Sequence, residues 1–308
     1  MAVNLDDSGE RMVPEYHKGS MMYGEHLVRY KAATALVKKK IVLDIACGSG
    51  YGSNMLAAEA KKVIGVDLNQ PAIDYAREHY SSEKIEFKIG DAVEIPLEDK
   101  SVDVVVSFET IEHIQDYKKF VAEVKRVLRD GGQFIVSTPN DTEFPEGADF
   151  HVHEFKQMEL EELLGSFFKN VETYYQSTWL YNALLNKKLI ASNDTTEMVT
   201  INAAPIEPAK SVYFLMVCSD SKPNQLLPSI GAISERWTTK DMLEHNAKMD
   251  KYIRGTIKHF EKILKLKDKE LDQLRRELHE LKTELDIKNT SWLKKTKAKT
   301  LNSSKRPN

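Results

Sequence analysis

The feature that most limits what this chain can fold into is a run of short apolar segments separated by helical stretches between residues 41 and 140. Ile41-Val42-Leu43-Asp44-Ile45 ends in a Gly/Ser-rich turn, and Val63-Ile64-Gly65-Val66-Asp67, Ile85–Ile89 and Val102–Ser107 follow it. Phe120, Val121, Val124 and Leu128 then recur at helical spacing, and Gly131-Gly132 turns the chain into Phe134–Ser137. Strands alternating with helices predict right-handed βαβ units around a buried parallel sheet. Further strands are expected at Val171–Gln176 and Val212–Cys218, with a helical insertion around Trp179–Ile190 between them. The fold class is therefore α/β, with helices on both faces of the sheet.

Beyond this region the pattern changes. Ser221–Ile233 contains Pro223, Pro228 and Gly231 among polar residues and reads as a linker. After it, Ile253, Ile257, Phe260, Leu264, Lys267, Leu271, Leu274, Leu278, Leu281 and Leu285 alternate in steps of four and three. That two-position seam is expected to form a long C-terminal coiled-coil helix and to make the protein a homo-oligomer through residues 250–288. A single helix docked on its own domain is the competing reading. The tail, 291–308, carries Lys294, Lys295, Lys297, Lys299, Lys305 and Arg306 without an acid, led by Trp292 and Leu293. It is either a solvated end or a weak anchor on an anionic membrane surface. The expected organisation is a domain over 1–220, with a lid at 1–40 and an insertion at 177–210. A linker at 221–238, a coiled coil at 239–290 and the basic tail follow.

Composition excludes several classes. Of the 308 residues 41% are hydrophobic and 30% charged, enough for a core and against wholesale disorder. A mean hydropathy of −0.45 and the lack of a long apolar run argue against a transmembrane helix. Met1–Glu10 is acidic and polar, unlike a secretory signal. Cys47 and Cys218 alone cannot form a disulfide scaffold or a multi-cysteine zinc module. The expected location is the cytoplasm, or the inner face of the membrane if the tail anchors there. The net charge of −3 carries no nucleic-acid signature, and the α/β region shows no basic aromatic groove, so nucleic acid is not an expected partner.

The first strand ends Asp44-Ile45-Ala46-Cys47-Gly48-Ser49-Gly50-Tyr51-Gly52. Glycines after a strand let a ligand approach the backbone. A dinucleotide-binding turn would keep an acid away from its pyrophosphate, so Asp44 suits a ligand with a cationic group instead. Asp67 closes the second strand, where an acid accepts hydrogen bonds from ribose hydroxyls. Gly90-Asp91-Ala92 follows the third. These residues, with Ser107-Phe108-Glu109-Thr110-Ile111-Glu112-His113-Ile114 and Leu128-x-x-Gly131-Gly132, resemble the class I S-adenosylmethionine-dependent methyltransferases over about residues 10–218. The resemblance implies a Rossmann-like seven-stranded sheet with a reversed last strand, here Val212–Cys218. It implies S-adenosylmethionine as cofactor, with Asp44, Ala46, Gly48 and Gly50 around the methionyl part and Asp67 and Leu68 at the ribose. Asp91 and Ala92 are implied at the adenine, with Phe108, Arg11 and Tyr23 completing the site. Ala46 stands where the family usually has glycine, a small change expected to cost little. In the lid, Arg11, Tyr23, His26 and Arg29 are placed to reach the methionyl carboxylate or the acceptor, and a solvated amphipathic helix is the bland alternative.

Glu109, Glu112 and His113 follow the fourth strand on the edge where ligands bind. Phe150-His151-Val152-His153-Glu154-Phe155 lies downstream. Glu109, Glu112, His113 and His151 make a candidate Mg²⁺ or Mn²⁺ site, in which a metal would lower the pKa of an acceptor hydroxyl. His113 as a general base, with Glu109 assisting, and a simple pocket wall are the other two roles open to them. On an extended segment His151 and His153 face opposite ways, so at most one is expected at the site. The spacing E-x-x-E-H resembles metal-dependent ubiquinone-biosynthesis and small-RNA 2′-O-methyltransferases. Gly9–Glu15, Phe150–Phe155 and the coiled coil resemble bacterial methyltransferases of polysaccharide and O-antigen clusters. The expected reaction is methyl transfer to an acceptor hydroxyl, on a sugar or glycan. A quinone- or phenol-type small molecule and an inactive coiled-coil scaffold are the alternatives.

Overall fold

The computed structural model describes residues 5, 11–18, 20–141, 151–177, 211–222 and 225–231, and, further on, 262, 264, 265, 267, 269, 271–276, 279 and 282. The chain divides into two compact units, Met1–Glu235 and Arg236–Asn308.

The first unit is built on a seven-stranded sheet with strand order β3-β2-β1-β4-β5-β7-β6. The strands are β1 (Ile41–Ile45), β2 (Lys62–Asp67), β3 (Ile85–Ile89), β4 (Val102–Phe108), β5 (Leu128–Pro139), β6 (Asn170–Gln176) and β7 (Tyr213–Ser219). The first five pair in parallel, whereas β7 runs antiparallel to both β5 and β6. Central strands are apolar in nearly every position because both faces are covered. Alternate residues therefore feed two cores. Val42, Val63, Val104, Val106, Ile135 and Leu215 pack on one face. Leu43, Ile45, Val66, Val105, Phe134 and Met216 pack on the other.

Helices close both faces. On the first are α2 (Met21–Ala33), α3 (Tyr51–Ala57) and α4 (Gln70–Tyr80), preceded by the short α1 (Pro14–His17). On the second are α5 (Tyr117–Val127) and α6 (Gln157–Gly165). Asn69 caps α4 by accepting the Ala72 N–H at 2.9 Å, and Asp116 caps α5 by accepting that of Lys119 at 3.0 Å. α5 buries Phe120, Val121, Val124 and Val127; Leu128, the fourth residue of the expected stripe, begins β5 instead.

Three local features differ from the sequence expectation. The Gly131-Gly132 pair sits within β5 rather than before it. The register moves from Val102↔Leu128 to Val104↔Gln133, so the pair forms a bulge, with Gly131 at φ +77°. Part of the expected linker is packed. Leu227 is buried against the first core, and its N–H donates to the Tyr174 hydroxyl at 3.1 Å, within the unit Met1–Glu235. Ala46 is not a cheap replacement for glycine, because its backbone lies in the left-handed region at φ +59°. A Cβ there crowds the following carbonyl.

In the second unit the described positions between 262 and 282 are helical, and Leu264, Leu271 and Leu274 are exposed. Trp179–Ile190, the rest of the coiled-coil seam apart from Lys267, and the tail 291–308 lie outside the described residues.

The strain at Ala46 is testable. Ala46→Gly should stabilise the protein by about 1 kcal/mol, raising the melting temperature by about 2–4 °C in differential scanning calorimetry. A lower melting temperature would show that the turn does not carry that strain.

Candidate active site

All candidate residues converge on the carboxyl edge of the parallel strands, in two halves. The first half gathers at the ends of β1, β2 and β3. Asp44 is buried, accepting from the Ser53 hydroxyl at 2.6 Å and the Tyr30 hydroxyl at 3.2 Å. Tyr30 reaches it because α2 lies against α3 at Gly52, where an added Cβ would come within 2.0 Å of the Tyr30 ring. Burial pushes the Asp44 carboxyl up to about 7, against the pull of its two hydroxyl donors. Gly50 turns the chain into α3 at φ +85°, with Ala76 and Phe87 so close that no side chain fits. Asp67 accepts the Gly48 N–H at 2.8 Å and the Asn69 N–H at 2.8 Å, which ties the end of β2 to the glycine turn. Asp91 is exposed and accepts the Val93 N–H at 3.0 Å, with Ala92 half-buried beside it. Leu68 presents its side chain to solvent.

The N-terminal segment lies across this half. The Arg11 side chain passes over Gly48, 3.6 Å from where a Cβ would stand. The Ser49 hydroxyl donates to the Met12 carbonyl at 2.9 Å, and the Tyr75 hydroxyl to Glu15 at 2.6 Å. Leu5 and Val13 are buried with Ala72 and Tyr75. Tyr23 packs at the border of the first core, and Phe108 is buried edge-on to Tyr30. His26 pairs with the Tyr51 hydroxyl at 2.7 Å, and burial, reinforced by Arg29, holds its pKa well below the usual histidine range.

The second half gathers at the ends of β4 and β5. Glu109 sits in the left-handed region at φ +52°, a strain of the kind concentrated at functional sites. Its carboxylate accepts from the Ser137 hydroxyl at 2.6 Å and lies 3.7 Å from the Arg29 guanidinium. Arg29 is buried over the Tyr213 ring and donates to Gln176 at 3.1 Å, while its Nε and Nη2 are buried without a partner. Glu112 is fully buried. One oxygen accepts from Thr138 at 3.1 Å and the other has no partner. Burial, and then the adjacent Glu109, push the Glu112 carboxyl well above the usual range.

The ligating atoms of Glu112, His113 and His151 lie within 4.8 Å of one another. The Val152 and His153 N–H groups both donate to the Glu112 carbonyl, at 2.9 and 3.1 Å, and so hold the 151–153 segment against the turn. His153 faces away, bonded to Glu159 at 2.7 Å and packed on Tyr117 and Phe155. Glu109 is not part of the cluster, because Ser137 and Arg29 hold it. The four ligands expected from sequence therefore reduce to three.

Residues 43–136 match the family of methyltransferase domains. The match runs from β1 through β5 and takes in Asp44, the glycine turn, Asp67, Asp91 and the Glu109–His113 turn. Curated relatives extend it. A protein of Mycolicibacterium smegmatis, named a probable S-adenosylmethionine-dependent methyltransferase, is 40% identical over 162 residues, 51% of this chain and 62% of its own length. A fatty-acid O-methyltransferase of the same species is 36% identical over 115 residues, 37% of this chain and 42% of its own. The chain thus spans less than two thirds of these relatives. Among solved structures, a chain from the complex of the Haloferax volcanii Trm112 methyltransferase activator with a methyltransferase aligns at a TM-score of 0.50 and 20% identity. That alignment covers 65% of this chain and 92% of that one. The unit has a Rossmann-like methyltransferase fold.

Several site residues carry no sequence signal of their own. Tyr30, Ser53, Ser137 and Thr138 are ordinary helix and strand residues until the fold brings their hydroxyls onto Asp44, Glu109 and Glu112. The glycine spacing Gly48-x-Gly50-x-Gly52 hinted only at close approach.

Asp44 gives a pH signature. Its folded-state pKa lies above the unfolded value, so the folded protein resists ionisation, and stability is lost as pH rises from about 4 to about 7. Above that range the loss is complete. In urea unfolding between pH 4 and 8, wild type should lose a few kcal/mol relative to Asp44→Asn. A gap between the two proteins that does not change with pH would mean that Asp44 ionises freely in the fold.

Proposed function

We propose that this protein transfers the methyl group of S-adenosylmethionine to an acceptor hydroxyl on a sugar or glycan. The observation that carries the reading is the meeting, on one sheet edge, of a buried acid and glycine cradle with a polar cluster of carboxylates and imidazoles. The first half fits the cofactor. Asp44 is a buried acid suited to a cationic amino group; the turn holds Gly48 in the left-handed region and leaves no room for a side chain at Gly50. Asp67 keeps lone pairs for ribose hydroxyls, Asp91 and Ala92 stand where the adenine edge would lie, and Arg11 and Tyr23 cover the methionyl end. Bound there, the cofactor supplies an electrophilic methyl on a sulfonium.

The chain's own work is then to position an oxygen nucleophile, exclude water and accept its proton. Glu109, Glu112, His113 and His151 form a polar wall that suits a polyol. An apolar quinone would leave the buried, unpartnered oxygen of Glu112 without a partner. Oxygen as the receiving atom agrees with the fatty-acid O-methyltransferase among the relatives. Glu112, His113 and His151 also fit a divalent cation such as Mg²⁺ or Mn²⁺, since a carboxylate and two imidazoles are a mixed O/N donor set and one Glu112 oxygen is buried without a partner. Such an ion would make the acceptor hydroxyl more acidic. Without one, His113 is the base.

His113→Ala is expected to cut kcat at least 10-fold while leaving cofactor affinity by calorimetry unchanged. Loss of activity in chelator, restored by Mg²⁺ or Mn²⁺, would select the metal. Full activity of the variant would remove His113 from the chemistry.

The second unit is proposed to assemble copies of the chain through residues 250–288, with the tail 291–308 touching anionic lipid at the inner membrane face. The exposure of Leu264, Leu271 and Leu274 along the helical positions supports the assembly. No helix among the described residues is long and apolar enough to cross a membrane. Removing 236–308 should leave a folded, cofactor-binding unit of lower oligomeric mass in light scattering. An unchanged number of copies would place the contacts in the first unit.

A further inference from the structure

Outside the residues already assigned, one half-buried carboxylate has a buried, unsatisfied oxygen beside the acceptor half. Glu154 Oε1 lies 2.5 Å from His151 Nδ1, and Glu154 Oε2 is buried with no partner. His151 is itself mostly buried and stands edge-on to His113, with ring centroids 4.8 Å apart. A carboxylate only accepts hydrogen bonds, so the proton it shares with the ring belongs to Nδ1. That leaves Nε2 as the unprotonated nitrogen of the neutral ring, on a residue that shares a cluster with Glu112 and His113.

His153 is also paired with a carboxylate, but it lies outside the cluster. His113 is exposed, on the short turn after β4. His153 spends its Nε2 on Glu159 and packs on Tyr117 and Phe155. The 151–155 segment is also the part of the cluster held most firmly. Two backbone N–H groups bind the Glu112 carbonyl, and Phe155 is fully buried in the second core. An imidazole oriented by a carboxylate on a fixed backbone is the arrangement used wherever a histidine must present one chosen nitrogen, to a proton or to a metal.

We propose that Glu154 is a positioning residue that fixes the tautomer of His151, so that His151 Nε2 serves the acceptor site as a ligand when a cation is bound and otherwise as a hydrogen-bond acceptor for the nucleophile beside the base His113. The role rests on the acceptor-side reading above, but the tautomer itself can be measured without any substrate. In the full-length protein, nitrogen-15 NMR of the imidazole rings, recorded at a pH where they are neutral and assigned through His151→Gln, is expected to show His151 protonated on Nδ1. Glu154→Ala should shift the ring to a mixture of tautomers or to Nε2–H. It should also lower kcat about 10–100-fold, with cofactor affinity unchanged. If Glu154→Ala does not fold, Glu154→Leu removes the same acceptor while filling its space.

A wild-type His151 protonated on Nε2 overturns the proposal whatever the variants do. So does a Glu154 variant that keeps both the Nδ1 proton and wild-type kcat. A purely structural Glu154 would lower stability without moving the tautomer. A wild-type protein that methylates no acceptor, yet shows the expected tautomer change, would refute the reaction and leave the pairing intact.

Discussion

The burial of one acid, Asp44, organises the half of the candidate site at the ends of β1, β2 and β3. A carboxylate at the end of a central strand is costly to bury unless donors surround it. Ser53 on α3 and Tyr30 on α2 are those donors. Bringing Tyr30 that close demands a bare backbone at Gly52, so the packing of two helices, the glycine spacing and the charge state of Asp44 form one constraint. The same turn takes its other support from Asp67, which accepts the Gly48 N–H. An anion-binding glycine turn would leave that N–H for a phosphate. Here it is already used, and the site favours a ligand that brings positive charge.

The half at the ends of β4 and β5 is arranged differently. Two carboxylates three residues apart sit in unlike surroundings. Glu109 faces the Arg29 guanidinium, and Glu112 lies in a pocket where burial favours its neutral form. Pairs of acids whose environments are driven apart are a common basis for dividing proton-handling roles. The left-handed backbone at Glu109 is the local cost of pointing its side chain toward Arg29 and Ser137 instead of toward the histidines. Position 46 shows a similar strain at the first turn. Backbone strain thus falls at both halves of the site, where the strands of the sheet end.

Much of the fold was legible in the sequence, for a simple reason. A parallel sheet buried on both faces requires uninterrupted apolar strands, and amphipathic helices require a 3.6-residue stripe, so both leave periodic marks. The parallel strands β1 to β5 agree with that reading, and the reversed β7 agrees with what the methyltransferase resemblance implied. Two of the places where local reading failed are places where periodicity carries no information. Gly131-Gly132 looked like a turn because glycines punctuate turns, but strand pairing on both sides absorbs the pair as a bulge. Leu227 lay among prolines and polar residues, and only contact with the first core made it part of the domain.

The sequence by itself determined the succession of strands and helices, the chemical type of each candidate group and the edge of the sheet on which they gather. These follow from composition, period and chain order. Only the tertiary structure decided how those groups are paired. It turned Glu109 toward Arg29, left Glu112, His113 and His151 as the cluster, and set Glu154 against His151. The physical reason is that spacing along the chain limits which groups can meet, whereas the direction of a side chain depends on backbone angles and on distant hydroxyls such as Ser137 and Thr138. Those partners have no mark in the sequence until the fold has brought β5 beside β4.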